Sequence, residues 1–408
     1  MNSPKLLKLF RINEDEWERM HTLLYESPLS NRLGIHIHQY KSLQNFDTFY
    51  YYTEEIMLLS SNIFARMMLL TKIMDRIPKI AIEHFMRSCL IEEIQSSNDI
   101  EGVRSTRREI KIALDEQNNK SSAANVRLWG IVNKYLKLQN QESIKFNNSA
   151  DLRNFYNDFA LDEVCREDKN NAPDGKIFRA QNVDVWSSTK VIHRGVFPES
   201  KIISYMDKAL ELLNNEKIPS LIRISIFHYL FGYIHPFYDG NGRTSRFITS
   251  YYLSKVLNTL VAMRLSLTIK DSTRVYYKLF ENTNSVGNAG DLTPFITGFL
   301  WLIEKSIERV YSELEVRMTT LNRLMSVPPI SEIKNSTDKK IYYVLLQAML
   351  FSSEGATLEE ISNTVSSGKR TVRRRIEVYP KEHIVVNKQH RAYRYYLNNN
   401  IWESTKDN

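Results

Sequence analysis

The chain has 408 residues, 42% hydrophobic and 25% charged, the make-up of an ordinary globular protein with room for two or three domains and a large core. Its two cysteines, Cys89 and Cys165, lie far apart with no C-x-x-C spacing, which indicates neither a disulfide framework nor a zinc site and fits a reducing cytosol. No apolar run approaches membrane-spanning length, Lys5 to Arg11 is too short and interrupted for a signal peptide, and the net charge of +8 admits an acidic or nucleic-acid partner without requiring one.

Residues 1–80 carry the weakest pattern and are expected to form an N-terminal helical region. Glu14 to Tyr25 reads as a short helix and Tyr50-Tyr51-Tyr52 as a packed aromatic cluster. Thr53 to Met74 is periodic in Ile, Leu and Met and ends before Pro78. Ile82, Phe85, Met86, Cys89, Leu90 and Ile94 mark one face of a helix over 81–102. Ser97 and Glu101 are four apart and share a helix face, and Gly102 suits the C-terminus. Taken alone, Glu101 is a surface carboxylate. Thr106 with Glu109 forms a capping box for the next helix. Helices continue to Leu138 around a polar Asn118–Ser122 loop, and another apolar-periodic segment covers Leu152 to Ala160.

The character changes at 173–198. Pro173-Asp174-Gly175 is a turn. Phe178, Val183, Val185 and Trp186, then Lys190-Val191-Ile192-His193, read as two short strands joined at Ser187-Ser188. Ser200 to Leu213 is a helix. A second helix follows, with Leu221, Ile224, His228, Phe231 and Ile234 at helical spacing and Pro219 at its start.

That helix runs into His235-Pro236-Phe237-Tyr238-Asp239-Gly240-Asn241-Gly242-Arg243-Thr244-Ser245-Arg246, and the apolar spacing of Phe247 to Leu257 makes this a tight loop opening a further helix. Gly240 and Gly242 permit a sharp turn and close approach of an anion. The unpaired N–H groups at a helix start form an anion site. Arg243 and Arg246 suit phosphate oxygens, Asp239 is a hard ligand suited to Mg²⁺, and a neutral His235 can accept a proton from a hydroxyl. Each feature alone is weak: most His-Pro pairs are structural, and the third glycine of a dinucleotide-binding loop is missing.

The combination is far more specific than its parts. It resembles the Fic family signature H-P-F-x-[DE]-G-N-G-R-x-x-R at every defined position. The resemblance implies a mainly α fold: a Fic-type helical core over 81–326 with a small β-hairpin flap over 176–198. It implies transfer of AMP from ATP to a Ser, Thr or Tyr hydroxyl of a target protein, with self-modification as one form. His235 would be the base, Asp239 would hold Mg²⁺, and Gly240, Asn241, Gly242, Arg243, Thr244, Ser245 and Arg246 would bind the nucleotide. Ser96 to Gly102 is similar to the family's inhibitory pattern [ST]-x-x-x-E-[GN], which implies that Ser97 and Glu101 occupy Arg246 and block productive placement of ATP. The flap residues Val191, Ile192 and His193 would align the target, with His193 in a positioning role. His228 reads as a packed histidine. Tyr276, Tyr277 and Asn284 look like the family's adenine pocket, with at least one tyrosine expected in the core.

Phe299 to Leu324 is a long helix, and Val327-Pro328-Pro329 marks a boundary. Over 330–400, helices at Lys340–Phe351 and Thr357–Ser362 precede a third that starts at Ser366, with five basic residues between 369 and 375. Ile384–Asn387 and Tyr393–Leu397 bracket a Gln389-His390 turn. This order reads as a winged helix-turn-helix domain, with DNA as a partner through 366–397 or, equally, a solvated face or a dimerisation module. The expected protein is therefore a cytoplasmic, bacterial adenylyltransferase held off by Glu101, admitting a homodimer. The alternatives are a DNA-binding regulator with a nucleotide-sensing Fic core, removal of AMP or transfer of another nucleotide, and simple ATP hydrolysis.

Overall fold

The computed structural model describes residues 5–116, 126–186, 191–352, 354–388 and 392–402. It is mainly α, 67% helical with a few small sheets, as the sequence leads one to expect. The expected Asn118–Ser122 loop, the Ser187-Ser188 join with Lys190, and the Gln389-His390 turn lie outside the described residues.

The chain divides into two compact units, one of Met1–Arg66 with Ile91–Ile307 and the other of Met67–Leu90 with Glu308–Asn408. The sequence places its divisions near residues 80 and 326–330, whereas compactness divides the chain inside three helices.

The first unit opens with α1 (Lys5–Phe10) and α2 (Glu14–Tyr25). Asn13 caps α2 by accepting from Glu16 N. Then comes a hairpin of β1 (Ser30–Ile37) and β2 (Phe46–Tyr51), so this region is not helical throughout. The signal was present in Leu33, Ile35 and Ile37, which are buried in alternation. Of the tyrosine triplet, Tyr50 is buried on β2 and Tyr52, 37% exposed, packs its ring edge-on against it at 5.7 Å. Next are α3 (Glu54–Met74) and α4 (Lys79–Ile100). Helix α3 corrects one expectation: by length and composition it is apolar enough to cross a membrane. Its polar Ser60, Ser61, Asn62 and Arg66 interrupt the run without lowering its average hydropathy enough.

Helices α5 (Arg107–Asp115), α6 (Trp129–Gln139), α7 (Ser149–Tyr156) and α8 (Asp162–Glu167) follow, with one π-turn at Asn157–Leu161. The Thr106–Glu109 capping box is formed on α5. The second hairpin pairs β3 (Asp184–Trp186) with β4 (Val191–Arg194), antiparallel. Beyond it run α9 (Glu199–Asn214), α10 (Ser220–Ile234), α11 (Asn241–Val256), α12 (Thr259–Ala262), α13 (Leu265–Asp271), α14 (Thr273–Asn284) and α15 (Thr293–Met325). Helix α10 is buried almost all round, so it is the centre of this unit and fixes the loop that follows it.

The second unit contains α16 (Ser336–Phe351), β5 (Ala356–Thr357), α17 (Leu358–Val365), α18 (Lys369–Val378), β6 (Ile384–Asn387) and β7 (Arg394–Leu397), the strands in the order β5-β7-β6. On α18, Val372 and Ile376 are buried. Three of its five basic residues already pair with carboxylates: Lys369 with Glu359, Arg373 with Glu377 and Arg375 with Asp338.

Candidate active site

The loop between α10 and α11 is built by two left-handed residues and one stapling side chain. His235 ends α10 at φ 52°, its N–H still donating to the Phe231 carbonyl at 3.0 Å. Gly240 starts α11 at φ 75°, the region that favours glycine. Asn241 accepts from Phe237 N at 3.0 Å and donates to Phe237 O at 2.8 Å. Both ends of its amide are thereby spent on loop geometry. Phe237 is buried and stacks on Tyr156 with ring centroids 3.6 Å apart, and the Tyr156 hydroxyl donates to the Asp239 carbonyl at 3.0 Å.

At the entrance, His235 Nδ1 lies 3.3 Å from the Gly232 carbonyl, which selects the tautomer with Nε2 as the free acceptor. Burial, with His193 and Arg179 adding, pushes the imidazole pKa down to about 3, so it stays neutral.

Arg179, which no motif marks, holds this entrance in place. It is fully buried without a carboxylate partner in its hydrogen bonds. Its Nε donates to the His235 carbonyl at 2.9 Å, Nη1 to Gln181 O at 2.6 Å and Nη2 to Val196 O at 2.7 Å. Burial lowers its pKa to about 10. Gly195 leaves room for it, since a Cβ there would overlap Arg179 Nη2. A lone arginine after a turn carries no pattern, which is why it escapes a reading by motif. Glu199 at the start of α9 accepts the N–H groups of Lys176, Ile177 and Phe178 and so anchors the same segment.

The start of α11 is an anion site by construction. Gly240 supplies no side-chain cap to the first-turn N–H groups, which leaves them to an anion. Arg243 is 1% exposed and its three guanidinium nitrogens have no hydrogen-bond partner; its nearest charge is Asp239, 3.5 Å away. Arg246, also 1% exposed, is fully engaged. Its Nη1 donates to Glu101 Oε1 at 2.7 Å, Nε to Ser97 Oγ at 3.0 Å and Nη2 to Ser97 O at 2.7 Å. Burial opposes the charge, but Glu101 keeps the Arg246 pKa above its ordinary value. Glu101 lies in the turn after α4, where its N–H donates to Asn98 O. A Cβ on Gly242 would overlap Glu101 Oε1, so the missing side chain at 242 is the space this carboxylate occupies. One turn before Ser97, Glu93 is fully buried and its carboxyl is raised to about 7 by burial, against donors from Ser266 and the charges of Arg246 and Arg264.

Other expected contacts are placed differently. Thr244 is buried, and Ser245 Oγ lies 3.3 Å from His228 Nδ1, so neither side chain is offered at the loop. Tyr276 is buried with its hydroxyl 2.9 Å from His228 Nε2; it is a core residue, as one of the pair was expected to be. His228 also contacts Thr249 at 2.8 Å and is a packed, hydrogen-bonded histidine. Tyr277 is 44% exposed. Asn284 accepts from the Tyr229 hydroxyl at 2.7 Å, which occupies its carbonyl oxygen. On β4, Val191 is partly buried, Ile192 is exposed and His193 is buried, with Nε2 at 2.6 Å from the Tyr233 carbonyl. His193 thus ties the flap to the end of α10.

Among the described residues no group of three His, Cys, Asp or Glu forms a metal cage. Asp239, partly exposed, is the carboxylate at the loop, and a divalent cation there would complete its shell with oxygens of the substrate.

Residues 156–253 match the model of the Fic/DOC family. Proteins with this domain are in general transferases that move nucleotide-derived groups onto proteins. Among solved structures, the chain is similar to a Fic family protein from Desulfovibrio desulfuricans, at 19% identity over 85% of this chain and 97% of that one, with a TM-score of 0.48. It is also similar to a Fic domain-containing signaling protein from Bacteroides thetaiotaomicron, at 16% identity over 64% of this chain and 97% of that one (TM-score 0.41). A third likeness is to Fic-1 from C. elegans, at 20% identity over 64% of this chain and 74% of that one (TM-score 0.42).

Proposed function

We propose that the protein transfers AMP from ATP to a Ser, Thr or Tyr hydroxyl of a protein, and that Glu101 holds this activity down. The observation that carries the reading is the unequal state of two buried arginines on one helix turn. Among the described residues Arg243 has no hydrogen-bond partner and only a 3.5 Å ion pair with Asp239, while every nitrogen of Arg246 is taken by Glu101 or Ser97. An unsatisfied buried guanidinium beside uncapped helix N–H groups calls for an anion, and a carboxylate on the second guanidinium competes for it.

In the reaction, His235 Nε2 takes the proton of the target hydroxyl as its oxygen attacks the α-phosphorus. The bond from that phosphorus to the bridging oxygen breaks and pyrophosphate leaves. Arg243, the α11 N–H groups and, once freed, Arg246 offset the charge on the phosphates. Asp239 would hold Mg²⁺, which supplies further charge neutralisation when bound. Arg179 and His193 keep the entrance and the flap base in register with the loop. The exposed Trp186 and Ile192 on the flap suit an extended target segment.

The direct test is incorporation of label from α-phosphate-labelled ATP into protein by wild type, Glu101→Gly and Glu101→Gly/His235→Ala. Label with the first variant that disappears with the second supports the reading. Nucleotide turnover without labelled protein would replace it with hydrolysis. A DNA-binding role for α18 has weaker support, because three of its five basic residues are already paired.

A further inference from the structure

Helix α3 carries an apolar face that no other part of the described chain covers. Met57, Leu58, Phe64, Met68 and Leu69 are 58%, 59%, 48%, 65% and 52% exposed. With Ser61 and Ala65, also exposed, they fall at successive i, i+3 and i+4 positions and form one stripe. The opposite face is closed: Ile56, Ile63, Met67 and Leu70 are buried, and Arg66 pairs with Glu304 at 2.9 Å. One face of the helix is thus packed within the fold, and exposed large apolar side chains gathered in one stripe on the other mark a docking surface.

We propose that this stripe is the contact of a two-fold homodimer, in which α3 packs antiparallel on α3 of a second copy. Charge selects the occupant and the direction. The first turn of α3 carries Glu54 and Glu55, and the last turn carries Lys72. An antiparallel pair brings the acids of each copy to the lysine of the other, twice by symmetry, whereas a parallel pair sets like against like. Glu54 and Glu55 also disfavour an anionic lipid surface, where cations are wanted. The middle of the stripe is small: Ser61 and Ala65 let two helices approach closely, with Phe64 and the methionines closing around them. Five large apolar side chains, each about half exposed, present on the order of 500 Å² per copy, so two copies bury about the 1,000 Å² that a stable interface needs.

Light scattering on the full chain over micromolar concentrations tests this. Wild type is expected at twice the chain mass, and Phe64→Glu or Met68→Glu at the chain mass with an unchanged thermal melt, because both positions are exposed. Direction is tested by charge exchange. Glu54→Lys/Glu55→Lys and Lys72→Glu should each weaken self-association, and mixing the two should restore a dimer. A monomeric wild type, a dimer that survives Phe64→Glu with intact fold, or failure of the mixed pair to associate would overturn the proposal. So would flotation of wild type with anionic phospholipid vesicles, which would assign the stripe to a membrane surface.

Discussion

Arg246 Nη1 stands 2.7 Å from Glu101 Oε1, and the other two nitrogens of the same guanidinium bind the hydroxyl and carbonyl of Ser97. A single turn at the end of α4 thereby saturates one arginine of the candidate nucleotide loop. The carboxylate also fills the space left by Gly242. Occupation of the cation and occlusion of the backbone fall at the same point, so the proposed inhibition needs no change elsewhere in the fold.

Replacing Glu101 by Gly is therefore expected to raise AMP transfer. A charge-assisted contact of this kind is worth about 1.5–3 kcal/mol, which corresponds to roughly tenfold to a hundredfold in nucleotide engagement. Ser97→Ala removes only one neutral acceptor and should raise activity by a smaller factor, since Ser97 O remains. Labelling rates of the two variants check the order. Equal or lower rates with Glu101→Gly would show that the ion pair is structural.

His235→Ala in the activated Glu101→Gly background should cost roughly a hundredfold to ten-thousandfold in AMP transfer while ATP still binds. The lowered pKa, about 3, adds a second expectation. In nucleotide-free protein the imidazole should show no titration by NMR between pH 5 and 8. An ordinary titration near 6.5 would mean that the entrance is more open than its burial implies.

Arg179 is expected to act through His235. Arg179→Lys keeps the charge but offers one ammonium where a planar fork reaches several carbonyls. In the Glu101→Gly background kcat should fall by roughly tenfold or more with the KM for ATP nearly unchanged, because the α11 start is untouched. A purely structural role would lower thermal stability and leave kcat of the folded fraction intact.

The motif loop is legible because its residue types are dense in sequence: His235, Asp239, the glycines and both arginines fall within twelve positions, whereas Glu101 stands out only through the resemblance of Ser97–Gly102 to the family's inhibitory pattern. What stayed hidden was held by tertiary contact. Arg179 makes its bonds to carbonyls, which leave no mark in a sequence. Asn241, Thr244 and Ser245 lie in the motif yet serve the loop and the core, since spacing records neighbours along a helix and not which side is buried. The β1–β2 hairpin is marked in β1 only by the alternation of Leu33, Ile35 and Ile37, a run of three too short to decide between strand and helix. Cap signals are legible because they are local, as at Thr106 and Glu109.

The buried histidines make stability depend on pH with a definite sign. His228 is fully buried and its pKa is lowered to about 3; His193 is lowered to about 4, in both cases mainly by burial. Unfolding returns each to about 6.5, so the unfolded chain binds more protons below that value. Their contribution is complete above about pH 6.5 and is lost as pH falls toward the folded values, by about 2 kcal/mol for each histidine at pH 5. Glu93 and Asp291 work in the opposite direction. Burial raises both carboxyls to about 7, so they favour the folded state as pH falls from there toward the unfolded carboxylate range. The overall curve is thus flattened, and a difference measurement is needed. His228→Gln should be less stable than wild type at pH 7.5, having lost a side chain that contacts both Thr249 and Tyr276. Its deficit should shrink by about 2 kcal/mol at pH 5, where wild type carries the proton-linked loss and the variant does not. Urea unfolding at the two pH values decides it, and a deficit that stays constant would mean that His228 is protonated within the fold.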